Sequence, residues 1–249
     1  MSTDPNSHRA AAARILSMLD LTSLDERDTP EKIERLCAAA RTPHGFPAAV
    51  CIYPEHVTTA RRSLSGTAVK IATVVNFPDG GEDRGRVERE TWRALSAGAG
   101  EIDLVLPYRA LLRGEFALAA GVVAACRSVC GSAVLKLIIE TGELGSEDRI
   151  REACVIGIDC GVDFLKTSTG KAPVNATPEA AAVMFECIAA TGGGCGLKVA
   201  GGVRTLADAL RYLDLAEARM GSEWVGPAHF RIGASALLAE LTACLGNPA

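Results

Sequence analysis

Two lysines stand at matching places in short apolar runs, Lys166 in Asp163-Phe164-Leu165-Lys166-Thr167 and Lys198 in Gly196-Leu197-Lys198-Val199-Ala200. The chain uses lysine sparingly, six against 20 arginines, and four of the six (Lys70, Lys136, Lys166, Lys198) lie in such runs. Arginine stays protonated at any physiological pH, so it cannot replace lysine as an amine nucleophile. A free lysine, with a pKa of ~10.4, is neutral at pH 7 in about one molecule in 2,500. Burial and a second nearby cation both penalise the charged form, and a drop of about three units corresponds to ~4 kcal/mol. Two adjacent ammonium groups therefore suit one task, activating an amine for attack on a carbonyl. We read Lys166 as the nucleophile and Lys198 as its perturber, although spacing alone allows the reverse.

Other polar residues fall at the ends of similar runs: Asp20 and Thr22, Cys51, Asn76, Asp103, Lys136 with Glu140, and Thr167. Asp103 interrupts the apolar stretch Glu101-Ile102-Asp103-Leu104-Val105-Leu106, where an unpaired charge would be costly. It requires a cationic partner, a proton-shuttling task near an imine, or both. Cys51 in Ala49-Val50-Cys51-Ile52-Tyr53 suits a core position more than a site position. Gly201-Gly202 and Gly233-Ala234-Ser235 offer backbone N–H groups and a hydroxyl after the last two runs, as an anion site would need, and Ser168, Thr169 and Lys171 can add donors.

Elements that would place these residues together are visible as eight strand-like runs: 19–22, 49–53, 69–75, 101–106, 133–139, 163–167, 196–200 and 230–234. Segments of helical period separate them. Start signals stand at Ser146, at Thr177 before Pro178, and at Thr205 with Asp208; stop signals stand at Gly98, Gly100, Gly131, Gly157, Gly161 and Gly192–Gly194. This rhythm in 249 residues predicts an α/β fold, a single-domain (β/α)8 TIM barrel spanning 1–249, with residues 1–13 a disordered or helical extension. A doubly wound open sheet would call for a GxGxxG turn after the first strand, and none is present. The Pro78–Arg86 stretch reads as an internal loop. In such a barrel the chemistry sits at strand C-termini, where these polar residues fall.

The 26 basic and 30 acidic residues leave a net charge of −4 with no basic block, which argues against nucleic-acid or membrane surfaces. No apolar stretch approaches the ~20 residues of a membrane helix, and we expect a cytoplasmic protein. Nine scattered cysteines without CxxC spacing read as reduced core thiols. The four histidines form no HxH or HExxH pair, so no metal site is expected. A metal-dependent aldolase or isomerase would need histidines beside Asp20, Asp103 or Glu140. A non-catalytic phosphosugar-binding barrel would need only the glycine loops and would gain nothing from an activated amine.

Taken together, the segments LDLTSL (19–24), CIYP (51–54), TVVNFP (73–78), EIDLVLPYRA (101–110), LKLIIETG (135–142), KTSTGK (166–171), KVAGGVR (198–204) and RIGAS (231–235) resemble the deoxyribose-phosphate aldolase family, in order from Leu19 to Leu245. The resemblance implies a class I, cofactor-free and metal-independent aldolase acting in deoxyribose phosphate catabolism. Its substrates would be a small phosphorylated sugar and acetaldehyde, and its assembly a homo-oligomer, dimer or tetramer. By the same resemblance Lys166 forms the imine, Lys198 lowers its pKa and Asp103 is the acid/base carboxylate working with a water. Thr169, Lys171, Gly201, Gly202, Gly233 and Ser235 would hold phosphate, and Asp20, Thr22 and Cys51 would line the pocket. Two positions depart from the family's usual pattern: Ala236 replaces a second serine and Val199 replaces a proline. The longer tail ending in tyrosine that some members carry has no counterpart in Gly246-Asn247-Pro248-Ala249.

Overall fold

A computed structural model describes residues 5–246. Eight parallel strands close into a barrel in chain order: β1 (Leu19–Ser23), β2 (Ala49–Ile52), β3 (Lys70–Val75), β4 (Glu101–Val105), β5 (Val134–Ile138), β6 (Phe164–Lys166), β7 (Gly196–Ala200) and β8 (Phe230–Ala234), with β8 pairing back onto β1. Among the described residues eleven α-helices accompany them: α1 (Pro5–Ser17), α2 (Pro30–Ala39), α3 (Val57–Ser63), α4 (Arg84–Ala97), α5 (Tyr108–Leu112), α6 (Phe116–Cys130), α7 (Thr141–Leu144), α8 (Glu147–Asp159), α9 (Pro178–Ala190), α10 (Leu206–Met220) and α11 (Leu237–Leu245). The fold is a (β/α)8 barrel. None of the described helices is long and apolar enough to cross a membrane.

Period-2 alternation divides each strand between two environments. Val50, Ile52, Ile71 and Val75 face outward into the main core between sheet and helices. Ala49, Cys51, Ala72 and Val74 form a separate small cluster on the opposite face, inside the barrel. Much of the remaining interior is charged rather than apolar. Asp20, Glu101, Asp103, Lys136, Lys166, Lys198 and Arg231 are all buried, where a barrel of this type usually stacks branched aliphatic side chains.

Helix boundaries follow local chemistry. Ser146, Thr177 and Thr205 each accept an N–H of the first turn, and Thr205 with Asp208 completes a reciprocal capping box. Gly98 ends α4 with φ 110°, a conformation costly for other residues. Gly157, expected to stop a helix, instead lies inside α8. Its lack of a side chain serves packing: a Cβ there would come within 2.7 Å of Leu165 and 2.9 Å of Leu137. The stretch expected as a loop over 78–86 ends earlier, because Asp83 caps α4 and its helix begins at Arg84.

The first four residues of the expected N-terminal extension lie outside the described residues, as do 247–249 of the C-terminal tail. From Pro5 the chain is helical, and Ala12, Ile15 and Leu16 of α1 are buried in the main core. That helix packs against α10 and α11.

Candidate active site

At the C-terminal ends of β1, β6, β7 and β8 opens a cavity of about 570 Å³. Its wall includes Thr22, Lys166, Thr169, Lys171, Gly201, Gly202, Gly233 and Ser235. Eight expected site residues thus meet on one surface. Lys198, Asp103, Asp20 and Cys51 do not reach that wall. All four are fully buried; Asp20 and Cys51, expected to line the pocket, face the barrel interior beneath its surface, Cys51 in register with Thr22.

Register explains the gathering below the cavity. Lys166 is paired with Lys198, Lys198 with Arg231, and Asp103 with Lys136 on neighbouring strands. Asp103 Oδ2 accepts from Lys166 Nζ at 2.7 Å and from Lys198 Nζ at 2.8 Å, while its Oδ1 accepts from Lys136 Nζ at 3.0 Å. The two lysines singled out by spacing are therefore bridged by one carboxylate oxygen. Asp20 accepts from Lys198 at 2.6 Å and from Arg231 at 2.7 Å. Glu101 accepts from Lys136 at 2.5 Å and from Arg231 at 3.2 Å. The Cys51 thiol lies 3.8 Å from Asp103 Oδ2, and burial pushes its pKa up.

Glu101 and Arg231 were not among the expected site residues, and Lys136 was noted at a strand end without a role. A signal existed for each. Glu101 is two residues from Asp103 and so shares its face, Arg231 stands beside Lys198 in register, and Lys136 was already visible as a lysine in an apolar run. Arg204 and Lys32 were also missed, although both contribute to the cavity wall.

The rim is built from backbone as much as side chains. Gly201 and Gly202 have φ of 83° and 87°, and a Cβ on Gly201 would lie 2.7 Å from Asn175. Thr169 Oγ1 accepts the Lys171 N–H at 3.0 Å, and Lys171 Nζ donates to the Leu24 carbonyl at 2.6 Å, tying the loop after β6 to the loop after β1. Ala236, at the N-cap of α11 beside Ser235, makes no side-chain capping bond. Val199 faces the main core and does not meet the cavity. Among the described residues, no group of three or more His, Cys, Asp or Glu side chains is arranged to hold a metal ion.

Residues 14–243 match the family described as DeoC/LacD family aldolase. The chain belongs to this aldolase family. Among solved structures it is similar to a Coccidioides immitis protein provisionally named deoxyribose-phosphate aldolase. The two share 30% identity with a TM-score of 0.81, covering 92% of this chain and 86% of that one. A Toxoplasma gondii protein of the same provisional name has a TM-score of 0.88 at 25% identity, covering 96% of this chain and 97% of that one. The fold is also that of the tetrameric deoxyribose phosphate aldolase from Aeropyrum pernix, with a TM-score of 0.75 at 23% identity over 97% of this chain and 96% of that one.

Within this aldolase, electrostatics separates the two lysines that spacing left interchangeable. Burial drives the Lys166 ammonium below the ordinary lysine pKa; Asp103 opposes that shift and Lys198 adds to it. Burial acts the same way on Lys198, yet Asp103 and Asp20 outweigh it and raise its pKa well above the ordinary value. Lys198 therefore stays charged while Lys166 is the amine that can lose its proton. Burial is the larger cause of the Lys166 shift, with the second ammonium contributing less, which corrects the emphasis placed on Lys198. Burial likewise works against the Asp103 carboxylate, but the three ammonium groups of Lys136, Lys166 and Lys198 hold it well below the usual carboxylate range.

Proposed function

We propose that this aldolase reversibly cleaves 2-deoxy-D-ribose 5-phosphate to acetaldehyde and D-glyceraldehyde 3-phosphate through an imine on Lys166. The observation that carries the reading is the position of Lys166. It borders the cavity, has one carboxylate partner that two other lysines share, and is the amine whose charge burial disfavours.

In this reading, neutral Lys166 Nζ attacks the C1 aldehyde, the carbonyl oxygen leaves as water carrying both amine protons, and one further proton taken up from solvent gives the protonated imine. Its positive charge forms 2.7 Å from Asp103, so an ion pair is made in the step. Removal of the C3 hydroxyl proton lets the C2–C3 electron pair flow into the imine, releasing glyceraldehyde 3-phosphate and leaving an enamine. Protonation at C2 and hydrolysis then free acetaldehyde. Asp103, held ionised by its three cations, is suited to accept protons and pass them through a water. Lys198 supplies a fixed positive charge that disfavours a second one at Lys166, and Asp20 holds that charge in place.

The phosphate would sit against the rim formed by Thr169, Lys171, Gly201, Gly202, Gly233 and Ser235. Positive φ turns the peptides of Gly201 and Gly202 into a close-approach surface, and Lys171 adds charge. Thr22 Oγ1 donates to its own strand at the Asp20 carbonyl, leaving its lone pairs for a substrate hydroxyl. A cytoplasmic homo-oligomer, dimer or tetramer, belongs to the same proposal.

Borohydride reduction in the presence of acetaldehyde or deoxyribose 5-phosphate, followed by peptide mass mapping, tests it. The reduced adduct is expected at Lys166, and Lys166→Arg, which keeps the charge without the nucleophile, should abolish both adduct and turnover. An adduct found solely at another residue refutes the assignment.

A further inference from the structure

Among the described residues, two other than glycine adopt positive φ: Asn76 at the end of β3 and Glu140 at the end of β5. Both lie at the mouth of the barrel. Such backbone is strained and persists where the surroundings require it. Asn76 has a visible reason, since its side-chain amide donates to the carbonyls of Gly81 and Val105 and accepts the Gly81 N–H, binding its own loop to the next strand. The mechanism above leaves Glu140 without a task.

Glu140 has φ 56° and ψ 63° and is buried. The peptides on either side of it are fastened to β6 and its exit: Ile139 donates to the Lys166 carbonyl and Thr141 to the Thr167 carbonyl, each at 2.9 Å. Between these two anchors the left-handed turn aims the carboxylate across to the Thr169 N–H, which lies 3.3 Å and 3.2 Å from its two oxygens. Thr169 in turn holds Lys171, and Lys171 reaches Leu24. A line of contacts thus runs from Glu140 through the rim residues to the far side of the mouth.

The rim loop needs such a support. Thr169 and Lys171 border the main cavity, and they also border a second cavity of about 240 Å³ that Glu140 and Glu143 share. A partition with open space on both sides gains little from packing, so its position depends on directional hydrogen bonds.

We infer that Glu140 is a positioning residue for phosphate binding, its carboxylate holding the Thr169 N–H and thereby setting Thr169 and Lys171 on the cavity rim. Glu140 touches neither the imine nor the phosphate. It acts through the loop, so its loss should damage recognition of the phosphate and spare the amine. The inference rests on the aldolase reading above, and its test includes an arm that does not need turnover.

Two substitutions separate reach from backbone strain. Glu140→Asn suits left-handed backbone but is one methylene too short to hold Thr169, whereas Glu140→Gln keeps both length and an acceptor oxygen. With deoxyribose 5-phosphate, Glu140→Asn is expected to raise KM about tenfold with little change in kcat, the size of one hydrogen bond. With unphosphorylated 2-deoxyribose its kcat/KM should match that of the unsubstituted enzyme, and Glu140→Gln should restore KM for the phosphorylated sugar. Equal losses on both sugars, or an unchanged KM in Glu140→Asn, overturn the inference. Titration calorimetry with inorganic phosphate gives the independent arm, in which Glu140→Asn should bind about tenfold more weakly than the unsubstituted protein. Equal affinities, or no phosphate binding by the unsubstituted protein, overturn it. If the unsubstituted protein cleaves neither sugar, the aldolase reading fails while the phosphate titration still decides the role of Glu140.

Discussion

Replacing Lys198 by methionine removes a buried charge while keeping the length and apolar bulk of the side chain. Its Nζ and that of Lys166 lie 2.8 and 2.7 Å from the same oxygen of Asp103. Two cations so placed are ~4.5 Å apart, and at an effective dielectric constant of about 20 they repel by ~4 kcal/mol. That is a ceiling of about three pKa units on what Lys198 contributes. Burial, the larger cause of the Lys166 shift, survives the substitution. With Lys198 gone, Asp103 also favours the charged form of Lys166 more strongly, so both changes raise the Lys166 pKa. The neutral amine is the reactive form, and the pH profile of imine formation should therefore move alkaline by roughly one to three units. Each unit lowers the reactive fraction about tenfold at fixed pH below the midpoint. Asp20 keeps Arg231 at 2.7 Å and Lys136 at 3.7 Å, so the substitution does not orphan a buried carboxylate. The assay is the initial rate of borohydride-trapped acetaldehyde adduct against pH, with circular dichroism to verify folding. A folded Lys198→Met protein whose midpoint stays in place, or moves toward acid, refutes the reasoning.

Asp20→Asn should destabilise the fold at neutral pH by about 3–5 kcal/mol, since it breaks a buried pair from one side. Burial opposes the Asp20 charge, but Lys198, Lys136 and Arg231 outweigh it and hold the carboxyl below its ordinary range; its contribution is present above the unfolded pKa of about 3.9 and is lost as pH falls through the folded value. Melting temperature followed from neutral to strongly acidic pH should fall less steeply in Asp20→Asn than in the unsubstituted protein, and an equally steep acid limb would count against the pairing. Gly201→Ala combines φ 83° with a Cβ 2.7 Å from Asn175, so phosphate affinity should drop and stability fall by about 1–3 kcal/mol. Calorimetry and thermal melting check both, and wild-type values in each would show that the rim tolerates a side chain there.

What could be read from the residues was mostly what depends on period. Phe230–Ala234 and Gly196–Ala200 form strands over the ranges that their apolar runs indicate, and β1 to β5 differ from expectation by a residue or so at each end. The gathering of Lys166, Lys198 and Asp103 was legible because a charge in an apolar strand must face partners. Depth was not legible. Asp20 and Thr22 share a face of β1, but Thr22 reaches the cavity and Asp20 lies sealed below it, because two residues along a strand carry a side chain roughly 7 Å along the barrel. Cys51 is hidden as well although it pairs with Thr22 in register, and burial, which the sequence does not print, outranks the second cation as the cause of the Lys166 shift. Gly157 misled for a related reason: glycine marks a helix end when the backbone needs positive φ, but here it marks close approach to Leu165 and Leu137, and sequence does not distinguish the two needs.

The buried charges single out one lysine as the weakest base among them. Four cations, Lys136, Lys166, Lys198 and Arg231, meet three carboxylates, Asp20, Glu101 and Asp103. An interior of low dielectric penalises the unmatched positive charge, and one proton is dispensable. Arg231 cannot release it. Lys136 lies within 3.7 Å of all three carboxylates and Lys198 within 2.8 Å of two, whereas Lys166 has only its share of Asp103. The proton most readily given up is therefore that of Lys166, which is also the lysine of the four cations that meets the cavity. Such a network is a poor source of stability compared with an aliphatic barrel interior, so its chemical consequence, an amine facing the cavity whose charged form is disfavoured, is the stronger reason for building it.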